Sequence, residues 1–161
     1  FGKQFHVSFY TIEKVPPTDR QRVVLASLDY AVDMWKDPGK HSSEAYGAGP
    51  NAYDNWIKAV PEFGASHGNW WNATVWSECR RMAADYFTTI GHENGNGNVA
   101  DLCTQLRCEY LTIAENLSKA SNKKMDADEK IALLKETRDL EADAIEDVAK
   151  LAEALRVRDK Q

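Results

Sequence analysis

The sequence predicts a mainly α protein: a bundle of about five helices with one N-terminal β-strand that pairs outside this chain. Three observations carry that expectation. From Thr18 onward, apolar residues recur three and four positions apart, the helical period. Clusters of Pro, Gly and Asn cut this pattern into segments of helical length. Only residues 3–12, KQFHVSFYTI, alternate with period two, and they are rich in aromatic and β-branched side chains.

In that first run Phe5, Val7 and Phe9 share one face, and His6, Ser8 and Tyr10 the other. Val15-Pro16-Pro17 ends it, because proline cannot donate to a ladder and restricts the residue before it. A strand needs partners for its backbone groups, and no second convincing strand follows. The expected partner is therefore a missing N-terminal domain or the same strand of a second subunit, met through Phe5, Val7 and Phe9. The alternative is an ordered arm lying over a helix. The chain opens on Phe1, which leaves room for a preceding leader or domain. Residues 1–17 thus read as a strand and proline break, and residues 18–161 as a helical domain.

Thr18 or Asp19 is placed to cap the first helix, in which Val24, Leu28, Ala31, Val32 and Trp35 repeat up to Asp37-Pro38-Gly39. After a small-residue loop, Gly49-Pro50 reads as cap and first helical position. The helix that follows has Ala52, Tyr53, Trp56, Ile57 and Val60 on one face and is expected to stop at Pro61. Gly64 and Gly68 mark a turn, and Asn69 or Asn72 is expected to open the next helix. Its predicted core stripe is Val75, Trp76, Cys79, Met82, Ala83, Tyr86, Phe87 and Ile90, with Gly91 closing it and residues 92–98 as a linker. Val99, Leu102, Cys103, Leu106, Tyr110, Ile113 and Leu117 step without a break through a fourth helix. A turn at Ser121–Lys124 and a cap at Asp126 introduce the last, whose expected core is Ile131, Leu134, Ala144, Val148, Leu151 and Leu155. Two long helices with a short connection are expected to lie antiparallel.

Composition excludes some classes. A chain of 161 residues, 43% hydrophobic and 28% charged, is of ordinary globular make-up and long enough to bury a core. A formal net charge of −5 argues against a nucleic-acid partner, which needs a concentrated basic face. No apolar run approaches a membrane span. Three cysteines without CxxC spacing point away from a disulfide framework or zinc site and toward a reducing, cytoplasmic setting.

No cofactor or metal is expected. The closest approach to a ligand motif is His41-Ser-Ser-Glu44, in reversed order and on a loop, and the four histidines lack ligand spacing. Cys79 falls on the predicted apolar stripe, where a small buried thiol is the usual occupant, and Cys103 has the same status. Glu78 with Arg80 or Arg81 reads as an intrahelical pair. No catalytic residue is assigned. The most suggestive cluster combines aromatics and amides: Tyr53, Trp56, His67, Asn69, Trp70, Trp71, Asn72 and Trp76. Tryptophans in a loop beside amides commonly contact a ligand or partner, since the ring needs cover and its N–H an acceptor. A small molecule or peptide is the expected ligand. The competing reading is that these rings plug the junction between helices.

The stretch FYTIEKVPPTDRQRVVLASLDYAV resembles the closing strand, proline break and first C-terminal helix of the butirosin-biosynthesis protein H-like family. YGAGPNAYDNWIKAV followed by GNWWNATVWSECRRMAADYF is similar to its later region, a Gly-x-x-Ala-Tyr-x-x-Trp helix and then a Trp-x-Glu-x-Arg-Arg-x-Ala helix. The likeness covers residues 5–90. It implies a papain-like cysteine-enzyme fold, related to bacteriocin-processing peptidases, ahead of the helices. The Cys and His of that part map onto neither Cys79, which stands in the helical pattern, nor His6. The implied role is an accessory domain for substrate recognition, lid or assembly, not itself catalytic. The alternative is a free-standing helical ligand-binding or dimerisation module.

Overall fold

The computed structural model describes residues 13–94 and 97–158. The period-two run at 3–12, and with it the pairing expected of Phe5, Val7 and Phe9, lies outside the described residues. Those residues hold five α-helices: α1 Arg20–Lys36, α2 Pro50–Phe63, α3 His67–Asn94, α4 Asn98–Ala120 and α5 Ala127–Arg158, with a single 3-10 turn at Pro38–Lys40. The molecule is mainly helical, and among the described residues there is no strand.

Capping explains where the helices start. Asp19 accepts a hydrogen bond from the Arg22 N–H at 2.9 Å, and Asp126 accepts from Asp128 N–H at 2.8 Å. Pro50 opens α2 behind Gly49, whose φ of 51° is open to glycine alone at low cost. A Cβ there would also lie 2.7 Å from the Met34 carbonyl oxygen, so the α2 entry passes tightly over the end of α1.

Cross-helix contacts fix the topology. Gly91 faces Cys103 and Ser77 bonds Ala114 O, so α3 and α4 are antiparallel. Gln105 meets Asp147 and Asn122 meets Lys130, so α4 and α5 are antiparallel, as their short connection predicts. Along the side of α5 the sequence runs backward against two helices in succession. Asp29 and Lys36 of α1 meet Arg156 and Glu146, then Tyr53 and Gly64 of α2 meet Glu141 and Lys130. Helices α1 and α2 therefore lie end to end as a broken fourth member of an antiparallel four-helix bundle. The core sits between these rows, from Val24, Leu28 and Val60 across to Leu106, Ile113, Leu134 and Leu151.

Several expectations need correction. Pro61 lies inside α2, which runs on to Phe63. One missing N–H within the last turn does not end a helix whose cap, the Gly64 N–H, still bonds Val60 O at 2.8 Å. Helix α3 opens at His67, two residues before Asn69, because the Ser66 hydroxyl accepts from the Asn69 N–H at 3.1 Å. Gly68, Trp70 and Trp71 are thus helical, and the loop expected there is absent. At the far end α3 continues past Gly91 to Asn94, and α4 begins at Asn98, which shortens the linker from both sides.

The α3 stripe is rotated from the expected one. The buried positions are Asn69, Ala73, Ser77, Ala84, Phe87 and Ile90. Small side chains on this face let α4 approach closely; a Cβ on Gly91 would lie 3.1 Å from Cys103 Cβ. Packing favours this close seam over the bulkier one. Trp76 is consequently 45% and Met82 70% exposed, and Cys79 is exposed where a core thiol was expected.

Candidate functional site

Along one face of α5 an unbroken three–four alternation runs through Lys130, Leu134, Thr137, Glu141, Ala144, Val148, Leu151 and Leu155, all buried. Three of these eight carry polar groups, and each is matched by a partner. Glu141 is the centre. Tyr53 Oη of α2 donates to its Oε2 at 2.7 Å, and Arg80 Nη2 of α3 pairs with its Oε1 at 2.5 Å. Tyr110 of α4 lies close enough for the Glu141 charge to act on it. The Trp76 indole covers the Arg80 guanidinium at 4.9 Å from ring centroid to Cζ. Three helices thus meet at one buried carboxylate, with Tyr110 of a fourth in range of its charge.

The electrostatics follow from burial. Desolvation, then the Glu141 charge, pushes the Tyr53 and Tyr110 hydroxyls well above the usual phenol range, so both stay protonated. Burial alone would lower the Arg80 pKa, but Glu141 and Tyr53 more than offset it, and the guanidinium stays charged. Its Nε is buried without an acceptor. Lys130 is fully buried, with Nζ donating to Gly64 O at 2.6 Å and Asn122 O at 3.0 Å. These carbonyls lie at the C-terminal ends of α2 and α4, where helix dipoles favour a cation. Burial pushes the Lys130 ammonium below its usual range, and that of the Cys103 thiol rises to about 11 for the same reason.

The eight residues singled out in the sequence divide into separate groups. Tyr53 and Trp56 stack at 6.4 Å, and Trp56 Nε1 donates to Asn69 Oδ1 at 2.7 Å. Asn69, itself buried, reaches toward Ala120 O with its Nδ2 at 3.5 Å. Trp56, Asn69 and the exposed Asn72 border a groove of about 240 Å³ between the end of α2 and the start of α3, lined also by Val60 and Phe63. His67, Trp70 and Trp71 form a second group, with ring centroids 5.0 and 6.0 Å apart in succession, and Lys123 lies over Trp70 at 5.4 Å. Trp76 belongs with Arg80. The structure therefore brings Trp56, Asn69 and Asn72 to one groove and leaves Trp70, Trp71 and Trp76 out of it.

Sequence reasoning missed Arg80, Tyr110, Lys130 and Glu141. The signal was present: Lys130 and Glu141 sit in register with Leu134 and Ala144, so a strict count would have turned them inward. Arg80 spends its charge on Glu141 of another helix, in place of the intrahelical pairing with Glu78 that the sequence suggested.

Among the described residues there is no group of three or more His, Cys, Asp and Glu arranged to hold a metal. No helix there is long and apolar enough to cross a membrane. No family model, curated protein or solved structure matches the chain.

Proposed function

We propose that this chain is a helical accessory domain, serving recognition or assembly, of a papain-like cysteine peptidase or acyltransferase-like protein, and that the reaction belongs to another part of that protein. The observation that carries this reading is the α2–α3 groove. Val60 and Phe63 give it an apolar lining, and Trp56 and Asn69 are held to one another before any ligand arrives. Asn72 stands exposed at its edge with an amide free to bond a peptide backbone. This make-up suits one apolar or aromatic side chain of a peptide, with the backbone beside it. The buried polar groups support recognition over reaction, since Arg80, Glu141 and Tyr53 are consumed by one another, with Trp76 over Arg80. The papain-like partner comes from the family likeness of residues 5–90.

The encoding gene tests the first half of the proposal. It requires a preceding domain of about 100–200 residues with a Cys and a later His; a reading frame without one rejects the accessory role. The second half is tested by Phe63→Ala and Asn72→Ala, both exposed at the groove. Both lower association with that domain, or with a peptide panel, by about tenfold, the scale of one lost contact. Both leave Tm within about 2 °C, as surface substitutions do. Loss of Tm without loss of association assigns these side chains to packing alone.

A further inference from the structure

Between α4 and α5, away from the groove, two carboxyl groups stand together. Gln105 Nε2 donates to Glu109 Oε1 at 2.8 Å and to Asp147 Oδ2 at 2.5 Å, so one amide bridges both. Asp147 is buried, and its other oxygen takes a salt bridge from Lys150 Nζ at 2.6 Å. Both Asp147 oxygens are therefore engaged by donors, as suits a carboxylate. Glu109 Oε2 is different: it is buried and accepts from nothing. An ionised carboxylate oxygen left in that state is costly, whereas a protonated one becomes a donor, and the Asp147 carboxylate stands beside it, held by the same Gln105 amide.

We propose that Glu109 and Asp147 share one proton, carried on Glu109 Oε2 and donated to Asp147, and that the pair is an acid-reinforced latch between α4 and α5. The proton comes from solvent and returns to it, with no other bond made or broken. The surroundings agree. Asp143 of α5 adds negative charge, and Lys150 is the cation facing the pair, with Glu146, held by Lys36 of α1, acting on that cation. Burial first, with Asp147 and Asp143 adding to it and Gln105 opposing, holds the Glu109 carboxyl above its ordinary value. A group raised in the folded state contributes stability that is complete below its unfolded pKa and lost as pH rises through the folded one. The latch is therefore tightest in acid and loosens toward neutrality.

The test compares the intact chain with Glu109→Gln, whose amide donates to Asp147 at every pH. The expected result is a variant more stable than the parent at pH 7 by roughly 2–4 °C in Tm, the scale of one buried interaction in a chain of this size. That gap should close by about pH 4, near the ordinary glutamate value. A gap unchanged with pH, or a variant less stable throughout, overturns the proposal. So does a rise in parental Tm with calcium that Glu109→Gln abolishes, which assigns the pair to a cation. Should the variant fail to fold, carbon-13 titration of the parental Glu109 carboxyl decides: a midpoint above the ordinary glutamate value supports the shared proton, and one at or below it rejects it.

Discussion

Arg80 and Glu141 carry the largest single risk in the molecule. Their side chains are 17% and 5% exposed, and each is the other's counter-charge. Arg80→Ala leaves a buried carboxylate with only Tyr53 to bond it, and stability should fall by about 3–5 kcal/mol in a denaturant titration. Replacing both, as Arg80→Met with Glu141→Leu, should cost less than the single change, because no charge is then stranded. A double variant as unstable as the single one would show that the pair contributes net stability. Two orphaned buried donors, Arg80 Nε and Asn116 Nδ2, mark where polar satisfaction is incomplete. The inward turn of Glu141 was legible in its register with Leu134 and Ala144, but its pairing with Arg80 was not, since that partner lies on a helix distant in sequence.

Among the helices, the break between α1 and α2 is the feature with the tightest geometry. Gly49 combines φ of 51° with backbone atoms of Met34 and Trp35 at 2.7–3.1 Å from where a Cβ would stand. Gly49→Ala should therefore destabilise by more than about 1 kcal/mol, since the strain outweighs any gain from a stiffer unfolded chain. Thermal melts check this, and a neutral result would mean the α2 entry shifts freely. The Gly49-Pro50 pair was readable as a helix start because its chemistry is local. The end of α2 was not, because Pro61 breaks helices only when tertiary contacts do not hold the last turn. Here Lys130 takes the Gly64 carbonyl and fastens that turn to α5. The α3 stripe failed for a related reason: periodicity identifies that a helix has apolar faces, and α3 has two. Ala73, Ser77 and Ala84 lost on hydrophobicity yet won the core by letting α4 come close.

For the molecule as a whole, the buried polar centre sets the response to alkali. Tyr53 and Tyr110 stay protonated in the folded state, while in the unfolded chain they ionise near their ordinary value of 10.0. Groups raised in this way support the fold below that value and withdraw support as pH climbs past it. Above about pH 10 the two should together cost about 2.7 kcal/mol per pH unit. Lys130 has the opposite sign, its lowered pKa adding stability as pH approaches 10.5 and nothing beyond. The loss should thus be steepest above about pH 10.5. Melting temperature and phenolate absorbance should report it together, two phenolates appearing only as the bundle unfolds. Ionisation of every tyrosine with Tm unchanged would contradict the buried assignment.

The residue pattern alone determined the helix count, a first cap at Thr18 or Asp19, the caps at Gly49 and Asp126, the α4 core face and the antiparallel α4–α5 pair, because each depends on neighbours within a few positions. It also marked Trp56, Asn69 and Asn72, though within a larger set whose members part company in three dimensions. Tertiary structure decided the rest: that α1 and α2 line up as one interrupted helix, that small residues of α3 face inward, and that Arg80, Tyr53 and Glu141 converge. Those outcomes turn on how closely two helices can approach and on charges that find partners far along the chain, and periodicity records neither.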